Sequence, residues 1–190
     1  MMVLILLLVP VLLLVVLLAV LAVVGFNRLR SQDVRADEAL GGIDDRLTRR
    51  ADLIPDLVDT VKGYAAHEKG VLEEVIEARA RVARVTADGT VAEKSAAQGA
   101  LDQALVNVMA LAEAYPDLLA GAGFLQLQQQ LAETEDQLSF ARQSYNDAAA
   151  TVNTSVRTVP WMFFSGIAGV RERVFYDAPA GRDQPPTVES

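Results

Sequence analysis

Apolar side chains recur along most of this chain at alternating spacings of three and four. The frame is clearest near the C-terminal end, where Phe124, Leu127, Leu131, Thr134, Leu138, Ala141, Tyr145, Ala148, Val152, Ser155 and Val159 follow it without a slip. An earlier stretch holds the same frame through Leu40, Ile43, Leu47, Ile54, Leu57, Val61 and Tyr64, then Val71, Val75, Ala78, Val82 and Val85, with Arg50 and Glu68 in inward slots. A third, from about Val91 to Tyr115, carries Ala97, Leu101, Leu105, Val108, Leu111 and Ala112 on one side. A strict heptad predicts long helices packed nearly parallel or antiparallel. No stretch alternates apolar and polar residues with β-branched enrichment, so no sheet is expected.

The breaks follow from Pro and Gly. Only Pro55 and Pro116 lie between residues 11 and 159. Pro55 removes a helical hydrogen bond and clashes one turn back, and Gly63 and Gly70 bracket a second candidate for the hinge, so the break falls either at Pro55 or near Gly63–Gly70. Thr86–Thr90 reads as a turn around Gly89, and Tyr115–Gly123 as the next break. One break in 28–85 gives four helices, up, down, up, down; an unbroken segment gives three. The four-helix reading is favoured.

The first residues differ from this body. Val3–Phe26 is apolar throughout. As a helix it spans roughly 36 Å, enough for a bilayer core of about 30 Å. It lacks the basic n-region, short apolar core and small-residue cleavage site of a signal peptide. Residues 1–27 are therefore expected to be an uncleaved anchor. Arg28, Arg30 and Arg35 follow the span and nothing basic precedes it, which places the N-terminus outside and the long C-terminal part in the cytoplasm. The fold class expected is all-α: a single N-terminal transmembrane helix followed by an elongated antiparallel four-helix bundle over 28–177, then a disordered Pro-containing tail over 178–190.

Composition narrows the chemistry. All 17 basic and 25 acidic side chains lie beyond Asn27, so the positive mean hydropathy averages a greasy leader and an ordinarily charged body. There is no Cys, which excludes disulfides, iron–sulfur clusters, thiol nucleophiles and a lipoprotein anchor. The net charge of −8 argues against general nucleic-acid binding. The single His, His67, follows Tyr64, so the Glu-x-x-His pairs of di-metal bundles are missing. His67-Glu68 lacks the second His of the zinc-protease motif and reads as a polar pair at a helix end. Asn153-Thr-Ser155 matches the glycosylation pattern by chance, lying within a predicted cytoplasmic helix. Gly166-Ile-Ala-Gly169 follows no strand and is no dinucleotide fingerprint.

Two groups of residues remain as candidates. Glu133, Glu135 and Asp136 form the densest acidic cluster of the last long helix, with Arg142 two turns on. They are either a solvated face with weak intrahelical pairs or part of an interhelical network with Arg49, Arg50 and Asp52, because a buried Arg50 must find a partner. Trp161, Met162, Phe163 and Phe164 open an uncharged apolar patch. It either folds back to seal the bundle or sits at the membrane interface.

The ordered motifs Arg49-Arg50-Ala-Asp52-Leu-Ile-Pro55-Asp-Leu-Val58, Val61-Lys-Gly-Tyr64-Ala-Ala-His67-Glu68, Glu77-Ala-Arg79-Ala, Ala112-Glu-Ala-Tyr115-Pro-Asp-Leu118, Phe124-Leu-Gln-Leu-Gln128, Glu133-Thr-Glu-Asp136, Phe140-Ala-Arg142 and Tyr145-Asn-Asp147 resemble the LemA family of bacterial membrane proteins. The resemblance runs over about residues 27–176. It implies one N-terminal span, a cytoplasmic bundle of long antiparallel helices and no catalytic residue.

The function expected is that of a non-enzymatic scaffold or interaction protein in the bacterial cell membrane. Its partners are the lipid bilayer and either a membrane protein or further copies of itself. No cofactor, metal or nucleic acid is expected. The alternatives are a regulatory subunit with a hinge near Pro55–Gly70 and a carboxylate-based enzyme, which needs a polar interhelical pocket.

Overall fold

The computed structural model describes the backbone of residues 2–176 and the side chains of residues 8–176; the tail expected over 178–190 lies outside the described residues. Among the described residues seven helices follow one another: α1 (Met2–Asp52), α2 (Ile54–Lys62), α3 (Lys69–Asp88), α4 (Val91–Ala112), α5 (Pro116–Leu119), α6 (Ala122–Arg157) and α7 (Met162–Ala168). No strand occurs among the described residues. The described residues divide into two compact units, one of 2–38 with 147–173, the other of 39–146 with 174–176.

The larger unit holds the heptad core. Phe124, Leu127, Leu131, Thr134, Leu138, Ala141 and Tyr145 are all buried, as are Ile43, Leu47, Ile54, Leu57 and Val61. Buried Thr134 satisfies its hydroxyl by donating to the Gln130 carbonyl one turn back on α6, an ordinary refuge for a hydroxyl inside a helix. Helix directions follow from paired indices. Asp44 meets Lys94 and Arg50 meets Asp102, so α1 and α4 run parallel. Gln128 reaches Met109 and Glu135 meets the same Arg50 as Asp102, so α6 runs against α4. Arg79 Nε donates to the Ala51 carbonyl at 3.0 Å, bringing α3 back to the end of α1. Asn107 Nδ2 donates to Glu74 Oε2 at 3.0 Å across the α3–α4 hairpin.

Both candidate positions for the break interrupt the helix, with different outcomes. Leu53 interrupts the helix for one residue, and Pro55 sits in the first turn of α2, where a missing N–H costs nothing. The chain reverses at 63–68, where no helix forms. Tyr64 and Glu68, placed on the inward frame by spacing, are exposed there because the frame ends with α2.

The α3–α4 hairpin is fixed by Thr90. Its side chain accepts from Glu93 N–H at 3.3 Å, and Glu93 Oε2 accepts from Thr90 N–H at 2.8 Å, a reciprocal capping box. The backbone N–H of Thr90, then its hydroxyl, hold the Glu93 carboxyl below the usual Glu value. That contribution is present above the unfolded-state pKa and is lost as pH falls through the lowered folded value. Thr90→Ala should cost about 1 kcal/mol in chemical denaturation, with the deficit shrinking in acid as Glu93 protonates.

In the smaller unit, Leu29, Ala36, Val152, Ala168 and Val170 form a buried cluster flanked by Ala148, Val156 and Phe164. Ala149 is fully buried while Ala148 is only partly so, since a straight helix drifts by about 20° per heptad. Val159 is exposed because α6 ends at Arg157, before the cis Val159–Pro160 peptide. Gly169, at φ 68, closes α7 in the left-handed region, which glycine enters without the Cβ penalty. The large apolar side chains from Leu8 to Phe26 stand exposed on α1.

Candidate functional site

Three side-chain groups stand out, one in the larger unit and two in the smaller. The first centres on Arg50, which α1 delivers to the interior with 7% of its surface exposed. Its Nη1 donates to Asp102 Oδ1 on α4 and to Glu135 Oε2 on α6, the latter at 2.6 Å. Arg142 Nη2 donates to the other Glu135 oxygen at 2.9 Å, and Gln98 Nε2 approaches Asp102 Oδ2 at 3.5 Å. Two guanidinium groups thus face two carboxylates, which neutralises the cluster as a buried charge requires.

The structure brings together Arg50, Glu135 and Arg142 and adds Asp102. Arg49, Asp52, Glu133 and Asp136 are exposed and lie outside the cluster. Geometry explains the split: Glu133 and Glu135 flank inward Thr134 by about 100° on opposite sides of α6 and Asp136 lies about 200° round, and it is the Glu135 flank, shared with Arg142 one heptad on, that meets Arg50. Glu133 accepts from Gln137 at 3.2 Å on its own helix. Arg49 and Glu133 border a separate hollow of about 320 Å³ with Thr134 and Gln137. Spacing did not single out Asp102, although it is the one acid inside the α4 run between Leu101 and Leu105. Lys94, 5% exposed and bonded to Asp44 Oδ2 at 2.6 Å, was equally unmarked.

Beside the Arg50 cluster lies a groove of about 660 Å³ between α4 and α6. Its walls carry Leu105, Val106, Met109, Ala110, Leu131 and Ala132, and its polar lining is Arg50, Asp102, Glu113, Gln128 and Glu135. Three of these four charged groups are already in ion pairs. The lining holds neither a hydroxyl or thiol nucleophile nor a His, and no group of three metal-ligating side chains occurs among the described residues. The surface suits an apolar occupant with a polar edge.

The second group is a clamp in the smaller unit. Arg173 Nη1 donates to Asp37 Oδ1 at 2.5 Å, and Nη2 and Nε donate to Asp33 Oδ1 at 2.5 and 3.1 Å. The bond to Asp37, joined by those to Asp33, raises the guanidinium pKa against partial burial. Asn153 Oδ1 accepts from the Arg173 N–H at 2.7 Å and its Nδ2 donates to the Arg173 carbonyl at 2.9 Å. The amide that looks like a glycosylation acceptor in sequence is thus a backbone clasp. The same device recurs in the larger unit, where Asn146 engages both backbone groups of Tyr176. Arg157 and Glu172 form an exposed bidentate pair at 2.7 and 2.5 Å, which lifts the Arg157 pKa and lowers that of Glu172 through their mutual hydrogen bond.

The third group is the aromatic patch, whose residues take opposite roles. Trp161 and Phe164, three apart, pack over Gly25 of α1: a Cβ at Gly25 would lie 2.8 Å from Phe164 Cδ2 and 3.2 Å from Trp161 Cε3. The Arg28 guanidinium carbon lies 5.1 Å from the Trp161 ring centroid, a cation–π distance. Met162 and Phe163 point outward, with Phe163 67% exposed.

α1 also contains a stretch long and apolar enough to cross a membrane. Among known proteins, the magnetosome proteins MamQ 1 and MamQ 2 of Paramagnetospirillum magneticum are each 34% identical to this chain over 86 residues. The magnetosome protein MamQ of Magnetospirillum gryphiswaldense is 31% identical over 86 residues. In each case the match covers 45% of this chain and 32% of the relative, so the chain spans only about a third of the relatives it matches. A model of the LemA family matches residues 39–189, which takes in most of the chain and every heptad position from Leu40 to Val159: the chain belongs to the LemA family.

Proposed function

We propose that this chain is a membrane-anchored, non-enzymatic scaffold that presents a helical body to a membrane-protein partner. The observation that carries this reading is the contrast within one polypeptide. The large side chains of Leu8–Phe26 are apolar and exposed, whereas the Arg50 cluster turns its charges on one another. In this reading residues 1–27 cross the bilayer once, and Arg28, Arg30 and Arg35 keep the body in the cytoplasm. The body is an antiparallel four-helix bundle of α1–α2, α3, α4 and α6, supported by the paired indices above.

The α4–α6 groove is the docking face, with Val106 59% exposed on its wall. A photo-crosslinking amino acid at Val106 should give one discrete adduct in native membranes, identified by mass spectrometry, and the same probe at exposed Ala80 on α3 should not. An adduct at twice the chain's mass would make the occupant a second copy. Equal labelling at both positions would sink the groove as a docking face. The helix-free link at 63–68 supports a second reading, a hinge that moves on partner binding; an unchanged hydrogen-exchange profile over 52–70 with partner bound would remove it.

A further inference from the structure

We propose that the outward face of α7, carried by Phe163 and Ile167, lies in the headgroup–acyl boundary of the bilayer, making a second membrane contact beside the α1 anchor. The proposal rests on the reading of α1 as a membrane span. Its position is fixed by Gly25: Trp161 and Phe164 approach where a Cβ would stand, on the last turn of the apolar run. A bilayer that covers Val23, Val24 and Phe26, all exposed, therefore reaches the level at which α7 is packed.

The face that α7 turns outward fits that setting. Phe163 and Ile167 are 67% and 77% exposed, one turn apart on the same side, with Met162 and Val159 also open. No charged residue occurs from Val159 to Val170. On the inner side, Phe164 and Ala168 belong to the buried cluster. A short helix sealed on one face and apolar on the other has the polarity of an element lying in the interface plane. The Trp161–Arg28 stack sets an aromatic ring and a cation at the end of the span, the pairing that membrane boundaries favour.

Charge points to the same occupant. Residues 1–38 and 147–173 hold six Arg against five acidic side chains, whereas the whole chain is at −8. The unit that carries α7 is thus the part of the protein that an anionic leaflet does not repel. α7 packs on α1 at Gly25, and a lipid surface at that level covers the exposed apolar side chains of both.

The chain's lack of Cys allows single-site labelling of the full-length protein in phosphatidylcholine–phosphatidylglycerol proteoliposomes. Variants Phe163→Cys, Ile167→Cys, Arg171→Cys and Leu14→Cys would each carry an environment-sensitive nitrobenzoxadiazole probe. Lipids bearing a nitroxide either near the headgroup or at mid-chain would serve as quenchers. The shallow nitroxide should quench probes at 163 and 167 about two- to threefold more than one at 171, and mid-chain nitroxide should quench the probe at 14 most. Strong quenching at 14 with 163 and 167 no different from 171 overturns the α7 contact and leaves the anchor standing. Blue-shifted emission at 163 and 167 without lipid quenching assigns the face to protein and also overturns it. No quenching at 14 removes the anchor reading itself, and the α7 proposal with it.

Discussion

Replacing Arg50 with alanine is expected to cost about 2–4 kcal/mol, which lowers the melting temperature of the full-length protein in detergent by roughly 5–12 °C. Arg50 touches both Asp102 and Glu135. It is buried, while the two carboxylates keep 38% and 35% of their side-chain surface. Solvent therefore screens them, and the loss falls short of the value for a fully enclosed pair. It still exceeds that of an ordinary surface bridge, because removal strips Asp102 of its guanidinium and leaves Glu135 resting on Arg142, together with the hollow left by the aliphatic stem. Asp136→Ala, on the solvated side of α6, should stay within about 0.5 kcal/mol. In a double-mutant cycle, Arg50→Ala with Asp102→Ala should show a coupling above about 1 kcal/mol. Unchanged melting of Arg50→Ala would mean that the cluster is decoration on a core held by Leu47, Ile54 and Leu138.

The same residue shows how far sequence pattern reaches. Arg50 sits on the inward frame of α1, and its burial was legible from spacing alone because helical periodicity is local. Its partners were half legible. Glu135 lay in an acidic cluster, but Asp102 requires the axial register between α1 and α4, which no single-helix pattern contains. Pro55 was legible as an interruption, yet it restarts the helix at α2 and the reversal falls at 63–68. Pro fixes φ and removes one donor, and neither property dictates a change of direction. Pro116 likewise opens a one-turn helix, α5, within the expected break. The patch at 161–164 could not be assigned to one role because it has two: the side chains spaced by three cover Gly25 and their neighbour Phe163 faces out. Least visible was the segment after α7, whose backbone is held by Asn153. An extended strap docked by side-chain amides leaves no periodic trace, and a lone Asn-x-Ser pattern points to the wrong chemistry.

That strap supports the second large effect. Arg173→Met keeps the aliphatic stem and removes the guanidinium, leaving Asp33, whose side chain is 13% exposed, with Arg30 at 3.4 Å as its remaining cation among the described residues. The expected cost is about 2–3 kcal/mol, at the low end for a broken buried pair because Arg173 itself is 22% exposed and Asp37 60%. Hydrogen exchange should report it locally, with amides of 29–37 and 170–173 losing protection about tenfold or more. Arg157→Met breaks a pair of similar geometry but open to solvent, and its exchange profile should match the wild type. The two contacts on Arg173 are separable, since Asn153 grips its backbone whatever the side chain. Asn153→Ala should therefore free 170–173 while leaving the protection of 29–37 largely intact, and Arg173→Met should loosen both. If Arg173→Met were silent and Asn153→Ala alone released the segment, the guanidinium would be resting on a strap that the amide already holds, and Asp33 would be stable in its pocket through Arg30 and water.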